Sequence, residues 1–360
     1  MKLKIAIIGY GQTGRNIHGA YAKAGDAARI AAIVESDAGR RALAQQDFPQ
    51  ADLLENHRDL LDMALDLVVV AAPEGHLHVP VCMDLLAHGL NVLCEMPLVR
   101  YAYELENLLH EARKQKVCFV PFYPSIFGKP LNRLKTHLKE GVLGRIGLIS
   151  LCGTTVFVDD DPPAFQKYYG GSLGLHAELI YQAVCLLDCC APDAAREEFV
   201  RHNAAQNVTA LQGTAAIPDA TVGISFKPTV LSALDCLKNQ GDSEDFVKIL
   251  LKTPGLPLVD LEASPYGLHA PDDVSVQGTC DGFVDVVDSA MSAVWFDKFA
   301  APGEALQGWS SQDAIFQFYA RLFDVLQGGT APLIDEEKWL LQARLMEEVY
   351  EQNSLPLKKY

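Results

Sequence analysis

The sequence predicts an α/β domain built on a parallel sheet, followed by an α+β domain whose open sheet is mostly antiparallel. Three observations carry this expectation. Up to Phe122, short β-rich apolar runs alternate with amphipathic stretches of helical length, the pattern of strands joined by crossover helices. A glycine-rich turn joins the first strand directly to the first helix. Beyond Phe122 the texture changes to helices separated by alternating or β-rich runs. The length of 360 residues suits about two domains of roughly 150 residues each. The expected division is 1–122 and 123–360, with the C-terminal helix able to pack back on the first domain.

In the first domain the strand candidates are Lys4–Gly9, Arg29–Glu35, Asp66–Ala72, Asn91–Glu95 and Val117–Phe122. Helices are expected over Gln12–Ala24, Asp37–Gln46, His76–His88 and Ala102–Gln115. The first stops at Gly25 and the third at Gly89, where glycine supplies a left-handed cap. In the second domain a helix over Lys129–Glu140 ends at Gly141, and a strand over Ile146–Val158 leads into the acidic loop Asp159–Pro163. A helix over Gly174–Cys190 follows. The β-rich runs Val208–Gln212, Thr221–Phe226, Phe246–Leu251 and Leu256–Leu261 come next, and helices over Gln312–Leu326 and Glu336–Gln352 close the chain.

Composition excludes several classes of function. Thirty Lys+Arg against 46 Asp+Glu give a net charge of −16, which repels a polyanion, so nucleic acid is not an expected partner. No apolar run approaches the ~18 residues of a membrane-spanning helix, and the apolar start reads as a strand rather than a secretion signal. Nine cysteines, spread through apolar segments, read as core residues in a reducing compartment, so a cytoplasmic location is expected. Cys185, Cys189 and Cys190 lack a second Cys/His pair at zinc spacing, and no metal site is expected.

Gly9-Tyr10-Gly11-Gln12-Thr13-Gly14 follows a strand and opens a helix, the context in which a GxGxxG sequence binds a dinucleotide. Gly9 permits the tight turn, Gly11 lets backbone N–H groups approach the pyrophosphate, and Gly14 lets helix and strand pack closely. The anion then rests on the positive end of the helix. Glu35, 21 residues after Gly14, stands where a carboxylate accepts from the adenosine ribose. It favours NAD over NADP, although Ser36, Arg40 and Arg41 offer the latter a partial rescue. A ligand-free turn or an S-adenosylmethionine site are the alternatives, and a Walker-type site is excluded because no Gly-Lys-Ser/Thr follows.

From Asp66 onward the chain resembles a known family. Val68-Val-Val-Ala-Ala-Pro73, His78, and His88-Gly-Leu-Asn-Val-Leu-Cys-Glu-Met-Pro-Leu98 are similar to the glucose–fructose oxidoreductase/inositol dehydrogenase (Gfo/Idh/MocA) family. Lys139–Ile146, Tyr169–Leu173, Val276–Thr279 and Gln352–Pro356 extend the resemblance over essentially the whole chain. It implies a Rossmann-type first domain, an NAD cofactor with NADP as the alternative, and a homodimer or homotetramer. It also implies a cofactor site that includes Ala72, Pro73, His78, Glu95 and Pro97 together with Gly9, Gly11, Gln12, Thr13, Gly14 and Glu35.

The family's Glu-Lys-Pro lysine falls on Met96, whose thioether carries no proton. An ungapped alignment puts the family's later Asp, His and Asp on Gly174, Glu178 and Tyr181. A Gly-x-His alignment instead keeps His176. His176, Glu178 and Tyr123 are therefore the candidate proton donors.

The function implied is a nicotinamide-dependent oxidoreductase that moves a hydride to or from an uncharged sugar, polyol or related small molecule, with an atypical acid/base set. The alternatives are reduction of an imine or conjugated system, as in biliverdin reductases, and a catalytically impaired cofactor-binding homologue that acts as a regulatory subunit.

Overall fold

The computed structural model describes residues 2–72, 77–141, 146–154, 174, 177–190, 229–235, 246–252, 256–264, 273–278, 283–287, 293–295 and 311–353. Six parallel strands form the first sheet: β1 (Leu3–Ile8), β2 (Ala28–Val34), β3 (Asp52–Leu54), β4 (Leu67–Val70), β5 (Val92–Cys94) and β6 (Phe119–Pro121). Their order is β3-β2-β1-β4-β5-β6. All residues of β4, β5 and β6 are buried, because helices cover both faces of a parallel sheet. That is why these strands read as continuous apolar runs. The strand order reverses between β1 and β4, so the sheet opens a crevice at its carboxyl edge there.

β1 and β2 have their expected lengths but begin one residue earlier, whereas β4, β5 and β6 are shorter than expected by two or three residues, where the chain turns out of the sheet. β3 was not anticipated. It has three residues, pairs among the described residues only with β2 and shows no alternation to read. The first helix, α1, opens at Gln12 and Thr13, runs as a π-helical segment over Gly14–Gly19 and continues as Ala20–Ala24. In such a turn residues five apart are bonded, and Gly14, His18 and Gly19 all lie buried. α2 (Ala38–Asp47) is capped by Asp37, whose carboxylate accepts from Arg40 N–H. α3 (His78–Ala87) starts two residues later than expected. α4 (Ala102–Gln115) and α5 (Lys129–Glu140) match their expected bounds, and Gly141 closes α5 at φ 72°.

The second sheet contains β7 (Ile146–Thr154), β8 (Thr229–Asp235), β9 (Phe246–Lys252), β10 (Leu258–Ser264), β11 (Asp273–Gly278), β12 (Phe283–Val287) and β13 (Ala293–Trp295). The order is β13-β12-β11-β7-β10-β9-β8. β7 and β10 pair in parallel and the other neighbours are antiparallel. The expected strands Val208–Gln212 and Thr221–Phe226 and the loop Asp159–Pro163 lie outside the described residues.

α6 (Ala177–Cys190) packs on this sheet, and two helices close the chain, α7 (Ser311–Leu326) and α8 (Glu336–Gln352). Phe318, Tyr319 and Leu322 of α7 and Trp339 of α8 are buried in the core of the first sheet. Leu345, Met346 and Val349 of α8 are buried in the second. One helix therefore joins both cores. Among the described residues no helix is long and apolar enough to cross a membrane.

Candidate dinucleotide and proton-transfer site

The three glycines of the turn differ in what surrounds them. Gly9 sits at φ 89°, and a Cβ there would lie 2.5 Å from the Ala71 carbonyl oxygen. A Cβ on Gly14 would lie 2.0 Å from the Gly9 carbonyl oxygen. Both positions are closed by the protein's own backbone, which leaves no room for any other residue. Around Gly11 a Cβ would meet nothing within 4 Å. That opening lies at the start of α1, where N–H groups are unpaired by the helix and attract an anion. Gly9 N–H donates to the Val34 carbonyl at 2.8 Å and so ties the turn to β2. Gln12 is exposed and Thr13 half-buried beside it.

Glu35 stands at the end of β2, and its carboxylate is already engaged. Oε2 accepts from Tyr10 N–H at 2.8 Å, and Oε1 accepts from Asp37 N–H and Arg40 Nη2, each at 2.9 Å. Arg40 Nε lies 2.9 Å from Oε2, so the guanidinium faces both oxygens. The Glu35 side chain is 3% exposed and that of Arg40 41%. Burial pushes the Glu35 carboxyl up, but the Arg40, Asp37 and Tyr10 hydrogen bonds and the Arg40 charge outweigh it and leave it below 4.5. The group that meets solvent at this corner is therefore Arg40.

At the end of β5, the turn Glu95-Met96-Pro97 contains a cis Met96–Pro97 peptide. His78 lies behind the turn, 1% exposed. Its Nδ1 lies 2.8 Å from the Pro97 carbonyl oxygen and its Nε2 2.8 Å from that of Ala72. It ties the loop after β4 to the turn after β5. Burial pulls its imidazole below the ordinary value. His18, absent from the sequence-predicted set, contacts Glu95: Nε2 lies 2.8 Å from Oε1. One histidine inside an amphipathic helix offers no signal by which sequence could single it out. Met96 is partly buried against both hydrophobic cores.

Glu178 lies in the first turn of α6, half-buried, where Oε1 accepts from Ser125 N–H at 2.9 Å and Ser125 Oγ at 2.5 Å. Gln182, one turn further along, donates to Ser125 Oγ. The structure thus brings Glu178 to the segment that leaves β6, across the junction between the two sheets. Tyr123 is 1% exposed, and its hydroxyl donates to Gln342 Oε1 at 3.0 Å. Burial, with the Glu178 charge adding to it, pushes this phenol well above 10.0. Its surroundings are those of a packed core residue. His176 and Pro73 lie outside the described residues.

Residues 3–123 match the sequence model of the GFO_IDH_MocA family, described as an oxidoreductase family with an NAD-binding Rossmann fold. Inositol 2-dehydrogenase of Corynebacterium glutamicum is 36% identical over 151 residues, which cover 40% of this chain and 43% of that protein. The NADP-dependent scyllo-inositol 2-dehydrogenase of Bacillus subtilis is 29% identical over 142 residues, 39% of this chain and 38% of that protein. The matched stretch thus spans about two fifths of the length of these relatives.

Solved structures extend the likeness of fold to nearly the whole chain. The NAD complex of GenD2, from gentamicin A biosynthesis, has a TM-score of 0.74 at 17% identity, over 98% of this chain and 94% of that one. Aldose–aldose oxidoreductase from Caulobacter crescentus has a TM-score of 0.73 at 17% identity, over 98% and 97%. Residues 3–123 are thus similar to the Gfo/Idh/MocA oxidoreductase family, and the inositol dehydrogenase relatives share that likeness over about two fifths of the chain.

Proposed function

We propose that the chain is an NAD(P)-dependent oxidoreductase acting on a sugar, polyol or related uncharged small molecule in the crevice at the carboxyl ends of β1, β4 and β5. The observation that carries this reading is the glycine turn: Gly9 and Gly14 close on their own backbone while Gly11 leaves open space at a helix start. It occurs within the segment that matches an NAD-binding oxidoreductase family.

In this reading the N–H groups of Gly11, Gln12 and Thr13 hold the pyrophosphate, and Ala72, Pro73, Glu95 and Pro97 line the nicotinamide end, with His78 bracing the loop. The bound dinucleotide supplies or accepts the hydride. Glu35 acts at the adenosine end through Arg40, which neutralises its charge and lowers the penalty on a 2′-phosphate. NAD remains the expected cofactor, with NADP as the alternative. Residues 1–122 form the dinucleotide domain and 123–360 the substrate domain, assembled as a homodimer or homotetramer.

Met96 stands where the resemblance puts a lysine, so the proton must travel elsewhere. Glu178 and His176 are the candidates, since Tyr123 is committed to Gln342. The lack of a protonatable group at position 96 also favours a second reading, reduction of an imine or conjugated system whose own basicity lowers the demand on the protein.

NADH and NADPH titrations followed by a screen of inositols, aldoses and cyclic imines for turnover test the proposal. Turnover of a polyol or sugar supports the first reading and turnover of an imine the second. Tight binding with no turnover leaves a regulatory subunit. Gain of polyol oxidation in Met96→Lys identifies a sugar enzyme that lost its lysine.

A further inference from the structure

The feature that the dinucleotide reading leaves unexplained is a buried polar chain between the first helix, the β5 turn and α7. His18 is 2% exposed. Its Nε2 lies 2.8 Å from Glu95 Oε1, and its Nδ1 lies 2.5 Å from the Tyr319 hydroxyl. A carboxylate can only accept, so Nε2 carries a hydrogen toward Glu95. In the neutral ring Nδ1 is then a lone pair, and it receives the Tyr319 O–H. Every donor and acceptor of the imidazole is used, in one direction: Tyr319 to His18 to Glu95.

The surroundings hold this chain rigidly. The His18 ring stands edge-on to Phe122 at 4.8 Å between centroids, and Tyr319 stacks on Tyr21 at 4.0 Å. Tyr319 is 1% exposed, and burial followed by the Glu95 charge pushes its phenol well above 10.0, which keeps it a donor. Glu95 is the most exposed member, with a side chain 15% exposed, and it stands at the carboxyl end of β5.

We infer that His18 is a positioning residue of the dinucleotide site, holding Glu95 as a fixed anionic acceptor for the hydroxyls of the nicotinamide ribose, with Tyr319 anchoring it from α7. This rests on the dinucleotide reading above and adds to it a part supplied by the far end of the chain. A carboxylate pinned through one oxygen keeps the other free and aimed. Without His18 the Glu95 side chain spreads over several rotamers, and binding must fix them again.

Two substitutions at position 18 separate positioning from packing. An asparagine amide occupies the place of Nδ1, so His18→Asn keeps the contact to Tyr319 and loses Glu95. A glutamine amide reaches the place of Nε2, so His18→Gln keeps a donor for Glu95. NADH affinity, followed by the fluorescence of the bound nicotinamide, should weaken about tenfold in His18→Asn and return to within about threefold of wild type in His18→Gln. Glu95→Gln should weaken it to a similar degree and add little more in combination with His18→Asn, because the two act as one unit.

Equal loss in the Asn and Gln variants, or no loss in either, overturns the inference. Should His18→Asn fail to fold, Tyr319→Phe keeps the ring packing and removes only the hydroxyl. It is expected to weaken NADH about threefold, and unchanged affinity there overturns the inference equally. A folded wild-type protein that binds neither NADH nor NADPH sinks the dinucleotide reading itself, whereas wild-type binding without this variant pattern sinks only the role of His18.

Discussion

Glu35 shows how far a single residue can be read from sequence. Its place at the end of β2 follows from its spacing after the glycine turn. Its bidentate partner does not, because Arg40 is brought beside it by the angle at which α2 leaves Asp37. The buried carboxylate is depressed below 4.5. A depressed acid stabilises the folded state above its unfolded pKa, and that contribution is lost as pH falls through the folded value. Glu35→Gln should therefore flatten the acid limb of a stability–pH curve below about 4.5. It should also lower stability at pH 7 by about 1–3 kcal/mol, by leaving Arg40 without its charge partner. Urea melts at a series of pH values check both, and a variant with an unchanged acid limb would contradict the assignment.

Tyr123 is the reverse case. It is a candidate proton donor by its place just past the last strand of the first sheet, but its burial against α8 is decided by a helix more than 200 residues away. No local pattern carries that information, and the same holds for His18, whose partner Tyr319 lies in α7.

Elements were legible wherever local rules decided them. α4 and α5 were found at their full length from their amphipathic periodicity, and Gly141 marks the left-handed end of α5, whereas the left-handed end of α4 falls on Lys116, which the sequence does not mark. β3 was missed, since three residues on a sheet edge carry no periodicity and gain their conformation from β2. The glycine turn was legible as a motif. The differing surroundings of its three glycines were not, because Gly9 is closed by the segment that leaves β4 and Gly14 by the folding of the turn back on the Gly9 carbonyl.

Those surroundings give a sharp prediction. Gly11→Ala should leave the melting temperature within about 2 °C of wild type, as the new methyl meets nothing in the folded chain. It should still weaken NADH at least about tenfold, by keeping the pyrophosphate from the helix start. Gly14→Ala should instead destabilise the unliganded protein by more than about 2 kcal/mol, because its methyl would overlap the Gly9 carbonyl. Thermal melts with paired NADH titrations separate the two. Equal effects of both substitutions on the melting temperature would show that the turn is not built as described.

At the scale of the molecule, the net charge of −16 leaves an anionic dinucleotide to be held by directed N–H groups rather than by bulk attraction. The fold class and both kinds of sheet were legible, the parallel one from buried apolar runs and the other from alternating ones. Hidden from sequence was how α7 and α8 return to the first sheet, since their amphipathic stripes say that a face is covered and not by what. Trp339 of α8, 1% exposed and packed on Phe119, joins that core while Val349 on the same helix fills the other. Trp339→Ala should cost about 3–5 kcal/mol. If one helix couples both cores, urea unfolding should remain a single transition by circular dichroism and tyrosine fluorescence alike. Two separated transitions in the wild type would show that the cores are independent.

The central claim is that the first domain binds a nicotinamide dinucleotide on its glycine turn, and calorimetric titration of the wild-type chain with NADH and with NADPH tests it most directly. The structure predicts saturable binding at one site per chain in the micromolar range, with the affinity reduced in Gly11→Ala. A well-folded protein that takes up neither dinucleotide at roughly millimolar concentration would contradict it.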